Sequence, residues 1–519
     1  MGRIHKKSAL TRSAPLILAA HEEGVNLLWE RYEEQLPLCA FTANGLNCRK
    51  CFQGPCRINP FGDQPTRGVC GADRDQIVME TLFQATREGV LESARTISSP
   101  DESLSGQEIP GPDSDLPRQT QKRLTDHGVL PVRKGQILEV QNSYFSHKGY
   151  LAATLRDLTR MGLIHYAFLK GFAQSVSSSA PAESGDDSGK ANILIVGRPP
   201  AGHISAFRRK VQEGNEGEKI ALWLQGMTDI PAFPSIPDHG SPEMALAMNL
   251  DALILYPDAH LPSLEDLAKK WEIPVLLGQE EKGIEWIAAQ AFELARGHQK
   301  KKVRFVSSGI PPGPSGRAPI LDRVKEIQET MSAGKIGGIL VLWAEPNVKQ
   351  AFFERTLTLM ENALKEKFLV FAGGEAAAQA HLLEEELERR MGGKKPDLPG
   401  SRIRLLNYLG SRGEIPALVA FLRSLNPDKE FNEMPLVVSF PEFYRTSTWA
   451  VAVTFLSMGF AVQLGAQLPF WGSPSLSQVL LKEWPRISGG VLLASPSLPD
   501  GPAQAQEIKS YIQSRSFSP

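Results

Sequence analysis

The stretch Leu38–Asp73 reads LCAFTANGLNCRKCFQGPCRINPFGDQPTRGVCGAD and holds all five cysteines of the 519-residue chain, at Cys39, Cys48, Cys51, Cys56 and Cys70. Four of them are spaced C-x2-C-x4-C-x13-C, with Gly45, Gly54, Pro55, Pro60, Gly62, Gly68 and Gly71 scattered among them. A short segment brings several thiolates to one point only if it keeps turning, and Gly and Pro supply the turns. The candidates are a metal ion, an iron–sulfur cluster or a disulfide framework, and five clustered cysteines in a large chain favour metal over disulfide. Zinc and a [4Fe–4S] cube both stay open on spacing. The irregular second hook favours the cube, because structural zinc sites more often pair two C-x2-C hooks. Arg49, Lys50 and Arg57 place positive charge beside the thiolates and favour their ionised form, although a solvated basic loop accounts for them as well.

Outside this loop the composition is that of an ordinary globular protein. The length predicts about three domains. With 57 basic against 58 acidic side chains the net charge is −1, which leaves no footprint for nucleic acid or an anionic membrane surface. No apolar run reaches the ~18 residues of a membrane span. The N-terminal apolar patch, 14–20, is short and is followed at once by Glu22 and Glu23 within a continuing helical pattern. The expectation is a soluble cytoplasmic protein without a leader.

Residues 1–37 read as helical. After the loop, Asp73 is a plausible N-cap for a helix that carries Val78, Leu82, Ala85 and Gly89 on one face. Residues 98–118 are a polar Pro/Gly/Ser loop, and 119–175 return to helical patterns with a break at 128–131. Beyond 190 the texture changes to short apolar runs alternating with helical stretches. The runs are Ile193–Gly197, Ile220–Leu224, Ala252–Tyr256 and Pro274–Gly278, then Gly338–Trp343, Phe368–Gly373, Ile403–Tyr408, Leu436–Phe440 and Val491–Ala494. Such alternation predicts parallel sheets covered by helices. The clearest later helix carries Val348, Phe352, Leu359 and Ala363. The fold class is therefore α/β with a helical N-terminal domain. The predicted division is a helical domain over 1–175 that includes the Cys-rich loop 38–73, a flexible linker over 176–190, and two α/β domains over 191–300 and 301–519. Neither α/β unit carries a dinucleotide, P-loop or nucleophile-elbow motif.

The run Cys48-Arg49-Lys50-Cys51-Phe52-Gln53-Gly54-Pro55-Cys56-Arg57-Ile58, followed by Gly68-Val69-Cys70-Gly71-Ala72-Asp73, resembles the N-terminal signature of the anaerobic nickel–iron carbon monoxide dehydrogenases. Weaker similar segments keep their order downstream: Asp251–Leu264, Val341–Gln350, Phe371–Ala380, Tyr408–Ser411, Pro441–Glu442 and Gly472–Pro474. The resemblance implies a homodimer with a helical domain followed by two Rossmann-like parallel-sheet domains. It implies that Cys48, Cys51, Cys56 and Cys70 hold one [4Fe–4S] cluster per subunit. A second family cluster sits on the dimer axis and takes two cysteines from each subunit. Cys39 matches the first of these, but Asn47 stands at the second, so that cluster is expected to be absent or altered.

The implied active site departs further. The family holds its nickel–iron cluster with one His and five Cys from the α/β domains, and no cysteine follows Cys70 here. No nickel–iron cluster is therefore expected, nor carbon monoxide oxidation. The family's cysteine positions fall near Gln225, Ala259, Trp343, Glu375 and Arg412, its ligand His near Arg198, its catalytic Lys near Trp449, and two proton-path histidines near Val90 and Ser93. Bulky and charged groups there would fill the cavity, with Glu375 and Arg412 free to pair. His203, Asp258, His260, Glu345 and Glu375 near predicted strand ends offer a replacement metal site, though such groups on loops are more often surface. The expected function is a one-electron relay or cluster-bearing scaffold subunit of a redox complex, working with a redox partner protein. The alternatives are an oxidoreductase with a remodelled pocket and a purely structural or regulatory homologue.

Overall fold

The computed structural model describes residues 7–97 apart from 12, 23, 25 and 62, then 112–132, 151–176, 190–197, 199, 203, 206–207, 209–210, 220–225, 235–236, 250–256, 262–278, 283–299, 319–394, 397–398, 403–409, 412–466, 468–493 and 500–515. The expected linker over 176–190 and the polar loop over 98–118 lie largely outside the described residues, as does the connection before 319.

Short helices Ser13–Glu22 and Leu28–Glu34 precede the Cys-rich loop. That loop contains a two-stranded ribbon, β1 (Asn47–Cys48) and β2 (Cys56–Arg57). The long helix Arg74–Ile97 follows and, after further chain, so does the long helix Leu151–Val176. The first sheet has the order β5-β4-β3-β6-β7, from β3 (Ala191–Val196), β4 (Ile220–Gln225), β5 (Ser235–Ile236), β6 (Leu250–Leu255) and β7 (Val275–Leu277). The second has the order β10-β9-β8-β11-β12-β13, from β8 (Gly338–Ala344), β9 (Phe368–Gly374), β10 (Leu406–Tyr408), β11 (Leu436–Phe440), β12 (Ala461–Leu464) and β13 (Val491–Leu493). Every pairing in both sheets is parallel. Strands β8, β9 and β11 are buried along their whole length, which is why they read as continuous apolar runs rather than as alternation.

Several features depart from the sequence reading, among them the two-residue strand β5, which no apolar run marks. Strand β12 was not anticipated: its four residues, AVQL, carry Gln463 in the middle. Its amide oxygen is compensated by Ser439 Oγ on β11, which donates to Gln463 Oε1 at 2.6 Å. The helix expected to include Val348 and Phe352 begins only at Glu354. Phe353 adopts a left-handed φ of 62°, and Phe352 is drawn instead into main-chain bonds with the N-terminal segment, Ala9 N–H to Phe352 O at 2.8 Å and Phe352 N–H to Lys7 O at 3.0 Å.

The helical front end and the second sheet share one continuous core, while β3, β4 and β6 pack into a separate one with the helix Ile284–Gln299. The join is a three-helix contact. Helix Thr446–Ser457, buried from Ser447 to Ser457, packs against both Arg74–Ile97 and Leu151–Val176. A Cβ on Gly89 would stand 2.8 Å from Ala450 Cβ and from Ser447 Cα, and one on Gly162 would stand 2.8 Å from Val453 O. Both positions accept only a hydrogen, so the backbones meet directly. A Gly89→Ala substitution is expected to cost about 1–3 kcal/mol through overpacking, read as a lower denaturant midpoint. An unchanged midpoint would mean that the crossing is looser than described.

Candidate metal centre

The Cys loop is built on main-chain bonds rather than on a core of its own. Cys48 pairs with Cys56 across the ribbon, and Ile58 N–H continues the ladder to Leu46 O at 2.9 Å. Leu46 and Ile58 are buried and root the ribbon. Between the strands the chain turns through Cys51, with Gly54 N–H bonded to Cys51 O at 3.2 Å. A Cβ on Gly54 would lie 2.9 Å from Cys56 N and 3.2 Å from Cys48 O, so glycine is required for the thiol-bearing residues to approach. A turn closed by Gly71 N–H to Gly68 O at 2.8 Å, with Gly71 at φ 87°, presents Cys70. Val69 N–H points at Cys56 Sγ, 3.4 Å away. Asp73 and Gln76 then exchange side chain-to-main chain bonds, both at 3.0 Å, and start the long helix. This is the cap expected from the sequence.

All five thiols are free; Cys48 and Cys56 are half-buried, and Cys39, Cys51 and Cys70 exposed. Burial pushes the Cys48 pKa up. The Lys50 N–H opposes this, while Cys56, Glu80 and Cys70 add to it. Among the described residues no three Cys, His, Asp or Glu groups close tightly on one point as a single ion requires. Four free thiols on a turning loop, one of them already facing a backbone N–H, are a donor set that fits a cube with separate corners. Cys39 lies apart, at the start of the short helix Ala40–Ala43. Hydrogen bonds from the Thr42 hydroxyl and Thr42 N–H hold its pKa below the usual thiol range. Asn47 Nδ2 donates to the same Thr42 hydroxyl at 3.2 Å.

A second group of polar side chains sits where four parallel strands end. Glu345 follows β8, Glu375 follows β9, Arg412 lies beyond β10, and Arg445 follows β11 and precedes the helix Thr446–Ser457. Glu345 and Glu375 are fully buried and Arg412 almost so. Arg445 Nη2 bonds Glu375 Oε1 at 2.9 Å, and Tyr444 OH donates to the same oxygen at 3.0 Å. Arg445 Nε donates to Tyr444 OH at 2.8 Å. Arg412 Nη2 donates to Ser447 Oγ at 2.8 Å. Arg412 also faces Glu345 and Glu92, each at 3.9 Å, and Arg445 faces Glu345 at 3.9 Å. The partners seen are Arg445 and Tyr444 for Glu375, and Ser447, Glu345 and Glu92 for Arg412, so the two residues expected to pair meet in one network through Glu345 and Arg445. Its other members, Tyr444, Arg445, Ser447 and Glu92, were not singled out from the sequence. Only the order of strand ends in the sheet would have gathered them.

Trp343 is buried over Gly373, where a Cβ would stand 2.5 Å from its ring. Trp449 Nε1 donates to Thr86 Oγ1 at 2.9 Å. Ser93 Oγ bonds His165 Nε2 at 2.9 Å, and His165 Nδ1 meets Thr454 Oγ1 at 2.8 Å. Trp343, Glu375, Arg412 and Trp449 are buried in the second sheet's unit, and Val90 and Ser93 are buried on the helix Arg74–Ile97. Arg198, Asp258, Ala259 and His260 lie outside the described residues, and of Gln225 only its place at the end of β4 is described. His203 is paired with Tyr256 OH at 2.9 Å in the first sheet's unit.

The chain matches the Prismane/CO dehydrogenase family over residues 46–99 and 272–497, more than half of its length. It is 40% identical over 94 residues to carbon monoxide dehydrogenase 1 of Methanosarcina acetivorans and 50% identical over 70 residues to the carbon monoxide dehydrogenase of Rhodospirillum rubrum. These matches take in 17% and 14% of this chain but span only 15% and 11% of the relatives' lengths. In fold the likeness is nearly complete. Carbon monoxide dehydrogenase IV from Carboxydothermus hydrogenoformans superposes with a TM-score of 0.77 over 98% of this chain and 99% of that one, at 19% identity. A nickel-free carbon monoxide dehydrogenase from Thermococcus sp. AM4 superposes with a TM-score of 0.78 over 98% and 97%, also at 19% identity.

Two outcomes follow from the buried network. Arg445→Met leaves the Glu375 carboxylate buried without its cation and is expected to cost about 3–5 kcal/mol, measured by chemical denaturation. Burial, reinforced by the Arg412 charge, lowers the His165 pKa from 6.5 to about 3. The unfolded chain therefore binds this proton and the folded chain does not, and stability falls as pH drops from 6.5 towards 3, by up to ~1.4 kcal/mol per pH unit. His165→Gln is expected to lose less stability than the parent over that window. Parallel pH–stability curves would rule the effect out.

Proposed function

The chain belongs to the Prismane/CO dehydrogenase family, and on that footing we propose that it is a carbon monoxide dehydrogenase-like iron–sulfur protein without a nickel–iron active site. Cys48, Cys51, Cys56 and Cys70 hold one [4Fe–4S] cluster per subunit, which supplies one-electron chemistry when bound. The protein acts as a relay or cluster-bearing scaffold in a redox complex. The observation that carries this reading is the filling of the strand ends. Trp343, Glu375 and Arg412, at positions matched to active-site cysteines, pack with Glu345 and Arg445 into a buried network, and no thiol follows Cys70 in the sequence. Ligand sites in open α/β sheets form at this edge. Here buried side chains occupy it, with Glu375 held by Arg445 and Tyr444 and Arg412 by Ser447.

The chain's own contribution to the relay is position and access. The ribbon and its glycines fix the four sulfurs, and Val69 N–H stabilises charge on Cys56. The exposure of Cys51 and Cys70 gives electrons a short route to a docked protein. Large apolar side chains are exposed along the same stretch of chain: Leu36, Leu38, Phe52, Phe61 and Val69. Exposed apolar side chains of this size support a macromolecular partner for the loop, either a second copy in a homodimer or a redox protein. A purely structural role draws support from the fastening of the loop to the second sheet's unit, through Asp75 to Ser473 and Ser475 and through Gly472 against Asn44 O.

Anaerobic reconstitution followed by elemental analysis and EPR tests the proposal. The expected result is about four irons per chain, no retained nickel, a reducible cluster signal, and no carbon monoxide oxidation. Cys48→Ser and Cys56→Ser should lose the iron. Bound nickel with carbon monoxide oxidation would overturn the reading, and a cluster that accepts no electron would leave the structural role.

A further inference from the structure

Glu80 stands two turns into the helix that leaves the Cys loop, and both of its carboxylate oxygens are engaged. Gln84 Nε2 donates to Oε1 at 2.8 Å, and Lys50 Nζ reaches Oε2 at 2.6 Å. Lys50 directly precedes Cys51, in the pair of residues between Cys48 and Cys51. The pair is largely shielded, with side-chain exposures of 26% for Lys50 and 12% for Glu80, so it escapes much of the solvent screening that makes surface ion pairs weak. The Glu80 charge is also felt at the Cys48 sulfur. The loop is therefore fastened to one helix twice, by the chain through Cys70 and Asp73 and across space through Lys50 and Glu80.

We propose that Glu80 is a positioning residue for the iron–sulfur centre: it anchors Lys50, and with it the Cys48–Cys51 turn, and the opposed charges of Glu80 and Lys50 set the reduction potential of the cluster. This rests on the assignment of Cys48, Cys51, Cys56 and Cys70 as ligands. The sign follows from charge. Each electron accepted from an external low-potential donor adds a unit of negative charge to the cluster. A nearby carboxylate opposes that gain and a nearby ammonium favours it. Gln84 keeps the carboxylate from swinging into solvent, so its charge acts at a fixed distance.

The test is an EPR-monitored redox titration of the full-length reconstituted protein and its Glu80→Gln, Lys50→Met and double variants, each with its iron content measured. Glu80→Gln is expected to raise the midpoint potential and Lys50→Met to lower it, with the double variant returning towards the parent. All four proteins should carry the same iron. Release of iron to a chelator gives a second reading that needs no reduction, and both single variants are expected to lose iron faster than the parent. Midpoints and release rates equal to the parent's would overturn the inference. So would shifts of one sign in both single variants. If the parent protein itself binds no iron at the four cysteines, the ligand assignment fails instead, and the two failures are told apart by that single control.

Discussion

Everything else in the molecule depends on the close crossing of helices Arg74–Ile97 and Thr446–Ser457. Gly89 lets the two backbones touch, and two rigid rods in contact without intervening side chains leave little freedom in their angle. One rod begins where the Cys loop ends, at the Asp73 cap. The other begins at Arg445, where the strand-end network is densest. Glu92, one turn beyond Gly89, reaches Arg412 from the first rod, and Ser447, at the start of the second, holds the same guanidinium. The crossing thus carries the loop, the network and the shared core on one scaffold.

The strand-end network is not explained by stability. Removing carboxylates and guanidinium groups from water costs several kcal/mol for each ion, and well-packed apolar side chains would often serve as well or better. What makes the group tolerable is its hydrogen bonding. Tyr444 and Arg445 converge on one oxygen of Glu375, and Ser447 takes a donor of Arg412. Its placement follows from topology, because parallel strands all end on one edge of the sheet and their last residues converge there. Trp343 and its glycine neighbour show the other half of the solution. The indole occupies space that Gly373 leaves open.

How much of this could be read from the sequence differs by element. The Asp73 cap was legible because its partner Gln76 lies three residues away, within the reach of local pattern. Strands β8, β9 and β11 were legible because burial on both faces writes itself as unbroken apolar runs. Strand β12 was not, since Gln463 interrupts a four-residue run and its compensation, Ser439, lies on another strand. The helix around Val348 was placed too early, because an aromatic residue at positive φ leaves no mark on periodicity. In the Cys loop, spacing singled out four cysteines and Lys50 beside them, but not the carboxylate that Lys50 meets. Glu80 and Gln84 lie on a helix and became relevant only once its face was turned towards Lys50. Arg445 and Tyr444 had no sequence signal. They belong with Glu375 only through the order of strands in the sheet.

The two polar centres differ in a way that bears on how the protein works. The strand-end network lies deep: Glu345, Glu375 and Arg412 are buried, Glu375 is held by Arg445 and Tyr444, and burial lowers the pKa of His165 beside it. The Cys loop is the reverse. Its bonds are main-chain, its thiols are partly open to solvent, and its apolar side chains face outward. A one-electron centre suits such a place, because electron transfer asks for proximity and a fixed geometry rather than for a pocket. The redox chemistry proposed for this chain belongs to its surface, and its direction is decided by whatever covers Phe52, Phe61 and Val69.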